Sequence, residues 1–161
     1  MDRRTGKENY YLDIADTVSE RATCLRRRYG AIIVRNDEII STGYNGAPRG
    51  RRNCTDLNRC MREELRIPSG ERYELCRSVH AEANAIISAP RRDMIGATMY
   101  LSGREAATGE LLHDTTSCAM CRRLVINAGI EKVICRTGTD TFTVTPVREW
   151  IDGDDSLPVS V

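Results

Sequence analysis

The chain has no excess of charge of either sign: 24 lysines and arginines stand against 23 aspartates and glutamates. Overall charge therefore gives no footprint for a large polyanion such as RNA. No apolar stretch approaches the roughly 20 residues that span a bilayer, so no membrane span is expected. The opening run Met1-Asp2-Arg3-Arg4-Thr5-Gly6 has no apolar stretch behind it. That excludes a secretory signal and places the protein in the cytoplasm. Repeats and low-complexity tracts are also missing. The cysteine count is odd, and in a reducing compartment that argues against a disulfide framework.

Seven cysteines are nevertheless many for a cytoplasmic chain of 161 residues. Metal binding is the natural use for Cys24, Cys54, Cys60, Cys76, Cys118, Cys121 and Cys135. The length fits one domain, residues 1–161. Arginines cluster at Arg26, Arg27 and Arg28 and again at Arg49, Arg51 and Arg52, which on charge pattern alone reads as solvated surface.

Apolar residues at helical spacing (Tyr11, Ile14, Ala15, Val18, Ala22) predict a helix over 7–23. Gly30-Ala-Ile-Ile-Val34, a turn at Asn36-Asp37 and a returning strand over 38–44 predict a hairpin. Residues 45–79 form a long polar loop rich in Gly, Pro, Arg and Cys, with a short helix expected over 62–66. A loop of that length in a compact domain needs something to organise it. A helix over 80–89 stops before Pro90. A strand over 97–101, a loop over 104–116, and a helix over 118–128 stopped by Gly129 follow. A strand over 131–135 and a last helix starting at Pro146 with Thr145 as its cap complete the pattern. This order implies a three-layer α/β/α domain around a mixed sheet.

The chemistry concentrates at two expected helix starts. One carries His80-Ala81-Glu82, the other Cys118-Ala119-Met120-Cys121. Two cysteines three apart face the same side of a helix, and the helix N-terminus favours their thiolate forms. A neutral imidazole from His80 completes three ligands, which leaves the fourth tetrahedral position of a zinc ion open for water. Zinc lowers the pKa of bound water to about 7. Glu82, two residues from the histidine, is placed to take that proton and pass it on. His-x-Glu with Cys-x-x-Cys is the general signature of zinc nucleobase deaminases. The remaining Cys24, Cys54, Cys60 and Cys76 suit a closed structural zinc site that would order the long loop; four unrelated free thiols are the alternative. Cys135 reads as a buried apolar strand residue.

Several segments are similar to deoxycytidylate (dCMP) deaminases, within the cytidine/deoxycytidylate deaminase superfamily. They are Thr23-Cys-Leu-Arg-Arg-Arg-Tyr-Gly-Ala-Ile-Ile-Val34, Ser41-Thr-Gly-Tyr-Asn-Gly-Ala-Pro-Arg-Gly50 and Ile67-Pro-Ser-Gly-Glu-Arg-Tyr-Glu-Leu-Cys76. His80-Ala-Glu-Ala-Asn-Ala-Ile86 and Cys118-Ala-Met-Cys121 with Ile126-Asn-Ala-Gly-Ile130 complete the match. The resemblance implies a cytidine-deaminase-like fold and hydrolysis of dCMP to dUMP and ammonia. It also implies a homo-oligomer (dimer or hexamer), dCTP and dTTP as effectors, and in some members a second, structural zinc. Ser117 stands where the family usually has proline, and Ser is a good helix cap. Gly138-Thr-Asp140 stands where many members carry a Tyr-Arg pair.

For the substrate, Arg26 and Arg27 are the expected phosphate ligands, because a guanidinium fork matches phosphate oxygens. Asn45 is expected to reach the sugar or ring, and the backbone of Ala81 the pyrimidine carbonyl. Two alternatives remain at this level. One is a deaminase of another base, such as tRNA adenosine. The other is a non-catalytic zinc-binding protein of the competence type.

Overall fold

The computed structural model describes residues 3–154. Met1 and Asp2 of the leader reading lie outside the described residues.

Five strands form one mixed sheet in the order β2-β1-β3-β4-β5. β1 (Arg27–Arg35) pairs antiparallel with both β2 (Glu38–Tyr44) and β3 (Thr98–Glu105). β3 pairs parallel with β4 (Lys132–Arg136), and β4 antiparallel with β5 (Phe142–Pro146). Asn36 and Asp37 both adopt positive φ, 51° and 62°, as a tight turn between antiparallel strands requires.

The two faces of the sheet are covered by different helices. Helix α1 (Lys7–Ser19) packs on one face, where Leu12 and Ala15 meet Ile32, Tyr100 and Ile134. The other face buries Ile33, Met99, Leu101 and Val133 under α4 (Ala81–Ile87), α6 (Ala119–Ala128) and α7 (Val147–Asp152). Two short helices, α2 (Cys54–Leu57) and α3 (Met61–Glu64), lie in the long loop, and α5 (Arg91–Met94) follows α4. The architecture is thus the expected three-layer α/β/α arrangement.

Two glycines set how closely the outer layers approach. A Cβ on Gly30 would lie 1.9 Å from the Ala15 carbonyl oxygen, and one on Gly43 would lie 2.4 Å from both the Ala81 oxygen and the Ala85 nitrogen. Only glycine lets α1 and α4 lie this close to the strands. Because Gly43 abuts the first turn of α4, it also fixes the depth at which His80 and Glu82 enter the site.

Several expected boundaries move. The first helix ends at Ser19, not 23, because Thr23 leaves it to pair with Asn45: its N–H donates to the Asn45 carbonyl at 3.1 Å and its hydroxyl to Asn53 Oδ1 at 3.0 Å. β1 starts at Arg27 rather than at residue 30, since Arg27 and Arg28 pair with Glu105 and Arg104 of a longer β3. Cross-strand pairing here overrides the polar composition of both segments. β5 was not expected; it is an exposed edge strand without a run of core residues. α5 was likewise not expected. The last helix begins at Val147, with Pro146, not Thr145, as the flanking residue. Among the described residues, no helix is long and apolar enough to cross a membrane.

Candidate active site

The long loop is a closed excursion. Gly46 and Val79 exchange two backbone hydrogen bonds, at 3.2 and 2.7 Å, so the chain leaves β2 and returns to the same place at the start of α4. His80 is the residue flanking α4 (φ −69°, ψ 155°). Cys118 holds the equivalent place before α6, where its sulfur accepts from the Cys121 N–H at 3.4 Å. The cap is therefore Cys118 itself and not Ser117, which lies one residue outside the helix and is buried. A sulfur at that position meets the unsatisfied N–H groups of the first turn.

These two helix starts bring the expected ligands together. His80 Nδ1 lies 3.5 Å from Cys118 Sγ and 3.4 Å from Cys121 Sγ. All three donor atoms lie within 4.8 Å of one another. A tetrahedral zinc with bonds of about 2.3 Å to sulfur and about 2.0–2.1 Å to nitrogen has N···S edges near 3.6 Å. The observed edges fit such an ion, and the donor set is the one zinc prefers.

Electrostatics points the same way. The hydrogen bond from the Cys121 thiol holds Cys118 well below the ordinary thiol pKa against the effect of burial, and His80 adds to it. Cys121 moves in the opposite direction, raised by that same bond and by burial. Burial works against a charge on His80, but Cys118 and Glu82 outweigh it and raise the imidazole. Ligation needs both sulfurs as thiolates, so a divalent cation bound here would release the proton the pair shares. Glu82 lies two residues into the helix region and is 5% exposed. Burial raises its carboxyl above the usual carboxylate range, which suits a group that must both accept and return a proton.

His80, Ala81, Glu82 and Cys118 line a cleft of about 820 Å³ including its open mouth. Arg26, Arg27 and Asn45 line it as well. Both arginines share their charge, Arg26 with Glu63 and Arg27 with Glu105, each at 3.4 Å. Asn45 is buried and bridges the strand: its Nδ2 donates to the Arg27 carbonyl at 2.9 Å and its Oδ1 accepts from the Tyr29 N–H at 2.8 Å. One amide proton and one lone pair remain for a ligand. Ala81, the first residue of α4, has an N–H without a helical partner.

Sequence reasoning missed six further lining residues, Tyr29, Arg62, Ser69, Tyr73, Ser78 and Thr116. Tyr29 lies in the polar start of β1. Arg62 and Tyr73 come from the excursion, where no periodicity marks an inward-facing side chain. A buried arginine in a cysteine-rich loop has no signal in a single sequence.

The other four cysteines gather around Cys54. Its thiol is raised first by burial and then by Cys24, Cys76 and Cys60, so the four share one neighbourhood. Among the described residues, His80, Cys118 and Cys121 form the tight donor group; the four-cysteine set is wider. Cys135 lies buried in β4, with burial pushing its thiol up to about 12.

Comparison with known proteins gives the family. The family model for the cytidine and deoxycytidylate deaminase zinc-binding region matches residues 5–137. The chain belongs to that family. A deoxycytidylate deaminase of Mycobacterium phage D29 is 36% identical, covering 79% of this chain and 91% of the phage protein. A deoxycytidylate deaminase of Schizosaccharomyces pombe is 31% identical over 96% of this chain, but this chain spans only 47% of that longer protein. The crystal structure of a dCMP deaminase from the cyanophage S-TIM5 superposes with a TM-score of 0.54 at 25% identity, covering 83% of this chain and 84% of the other.

Proposed function

We propose that this deaminase-family chain hydrolyses dCMP to dUMP and ammonia, with His80, Cys118 and Cys121 holding a catalytic zinc and Glu82 moving the proton. The observation that carries the reading is the convergence of three zinc-type donors beside a buried carboxylate in a cleft also lined by arginines. The two deoxycytidylate deaminases similar to this chain support the choice of substrate.

Zinc held there supplies an activated water at neutral pH. The chain's own groups do the rest. Glu82 accepts a proton from the attacking water and delivers it to N3 of the pyrimidine; it then takes the proton of the hydroxyl newly added at C4 and passes it to the amine, which leaves as ammonia. One water is consumed and one ammonia released, so the carboxylate is regenerated. The free N–H of Ala81 donates to the pyrimidine carbonyl, and Asn45 uses its remaining donor or acceptor on the sugar. Arg26 and Arg27 at the rim face the phosphate.

The finer composition follows from the same reading. A second, structural zinc on Cys24, Cys54, Cys60 and Cys76 would tie the excursion together, and the neighbourhood around Cys54 supports it. Exposed Ile87, Leu124 and Ile151 lie on α4, α6 and α7, the same layer, and support a homo-oligomer. By resemblance, dCTP and dTTP are its effectors. Seven free thiols suit the reducing cytoplasm. Residues 1–161 act as one domain.

The test is ammonia release from dCMP by the zinc-loaded chain and by Glu82→Gln, with zinc measured in both. Full zinc content with turnover lowered by about 10²–10⁴ is expected for the variant. A variant that turns over dCMP at the wild-type rate contradicts the assignment of Glu82.

A further inference from the structure

Arg62 has a different environment from the other arginines of the cleft. It is 6% exposed, on α3, and lines the same cleft as His80 and Glu82. One terminal nitrogen donates to the carbonyls of Pro68 and Glu71, at 2.8 and 2.9 Å. Its guanidinium lies over the Tyr73 ring, 4.5 Å from the centroid. The Tyr73 ring in turn meets His80 edge-on, centroids 4.8 Å apart at 83°. Nε is buried without a partner. Among the described residues no carboxylate forms an ion pair with Arg62, whereas Arg26 and Arg27 each have one.

Carbonyl oxygens and a ring face offset part of the cost of burying a guanidinium, but they bring no net negative charge. A buried cation without a counter-ion favours an anion in the adjoining cleft. Resting on the proposed dCMP reaction, the only anionic part of the substrate is its phosphate. We infer that Arg62 is a further substrate-specificity residue, the buried counter-charge that makes the cleft select the nucleotide over the nucleoside. Arg26 and Arg27 then meet the phosphate from the rim, where their carboxylate partners already share their charge. The excursion thereby does more than cover the metal centre: it carries the charge that reads the substrate.

The experiment uses the full-length zinc-loaded protein, with Arg62→Met keeping the apolar stem and Arg62→Lys keeping the charge. Rates on dCMP and on deoxycytidine are measured beside zinc content, with inorganic phosphate as an added competitor. For Arg62→Met the expected result is a rise in KM for dCMP on the order of 10²-fold, with kcat and zinc content held. Deoxycytidine turnover changes little, so the preference for dCMP collapses. Arg62→Lys recovers part of that preference. Inorganic phosphate competes with dCMP in the wild type and much less in Arg62→Met. If Arg62→Met fails to fold, absence of phosphate competition in the wild type overturns the inference by itself. Equal losses on both substrates, with kcat or zinc content falling, also overturn it and leave Arg62 as a brace for Tyr73 and His80. If the wild type shows no dCMP turnover at all, the proposed function fails instead. A wild type that prefers dCMP with a variant that keeps that preference sinks only the role of Arg62.

Discussion

The floor and the rim of the cleft are built by different means. On the floor, His80 flanks α4 and Cys118 caps α6, with Cys121 one turn in. Their positions follow from where two helices begin and from how closely Gly43 lets α4 approach the sheet. The rim is the 46–79 excursion with Arg26 and Arg27 beside it. It is pinned at its ends by the Gly46–Val79 bridge. Inside, short backbone turns such as Glu64 to Cys60 and Ile67 to Arg62 are tied to one another by side chains, Arg62 to the Pro68 and Glu71 carbonyls and Arg77 to the Arg52 carbonyl. Helix starts therefore place the zinc-type donors, and the excursion supplies Arg62, the residue proposed to select the nucleotide. Damage to the floor should abolish the reaction, while damage to the rim should redirect or weaken it.

The largest effect is expected at the floor. Cys121→Ala removes a fully buried donor; zinc content should fall and turnover should drop by more than the 10²–10⁴ associated with losing a proton-transferring group. Retained zinc and activity would break the comparison at its first step. Next, Gly43→Ala forces a methyl against the α4 backbone and should cost about 1–3 kcal/mol. Calorimetry should then show a lower Tm, by roughly 2–4 °C per kcal/mol. Gly6→Ala meets nothing within 4 Å and loses only the N-cap preference of glycine at the start of α1, so it should cost less, about 0.5–1 kcal/mol.

The floor was legible before the fold was known because its signals are local. His80-Ala81-Glu82 and Cys118-Ala119-Met120-Cys121 each carry ligand spacing and helix-start chemistry in one short segment. The three-layer order was legible for the same reason, since apolar periodicity marks most of its elements. β5 and the first residues of β1 were not, because Phe142–Pro146 is a mostly exposed edge strand and Arg27-Arg28 is polar. Only pairing with β4 and β3 makes them strands. Arg62 and Tyr73 were missed because their burial depends on contacts with residues that local pattern does not link to them.

At the rim, Cys54→Ser should lower zinc from two per chain to one and open the excursion to proteolysis, while the catalytic zinc remains. A ratio of one in the wild type would remove the four-cysteine site from the account. The smallest effect is expected at the surface of the rim. Glu63 pairs with Arg26 with its side chain 60% exposed, and such pairs contribute about 0–1 kcal/mol. Glu63→Gln should therefore leave thermal stability nearly unchanged. It should improve the KM for dCMP slightly by freeing Arg26; a higher KM would mean that Arg26 does not meet the phosphate.

The central claim is that the floor deaminates and the rim selects dCMP. The most direct measurement is ammonia release by the zinc-loaded wild type on dCMP, deoxycytidine, cytidine, dCTP and an anticodon stem-loop. The highest kcat/KM is expected on dCMP, with no turnover of the RNA. Turnover of the RNA without turnover of dCMP would contradict it.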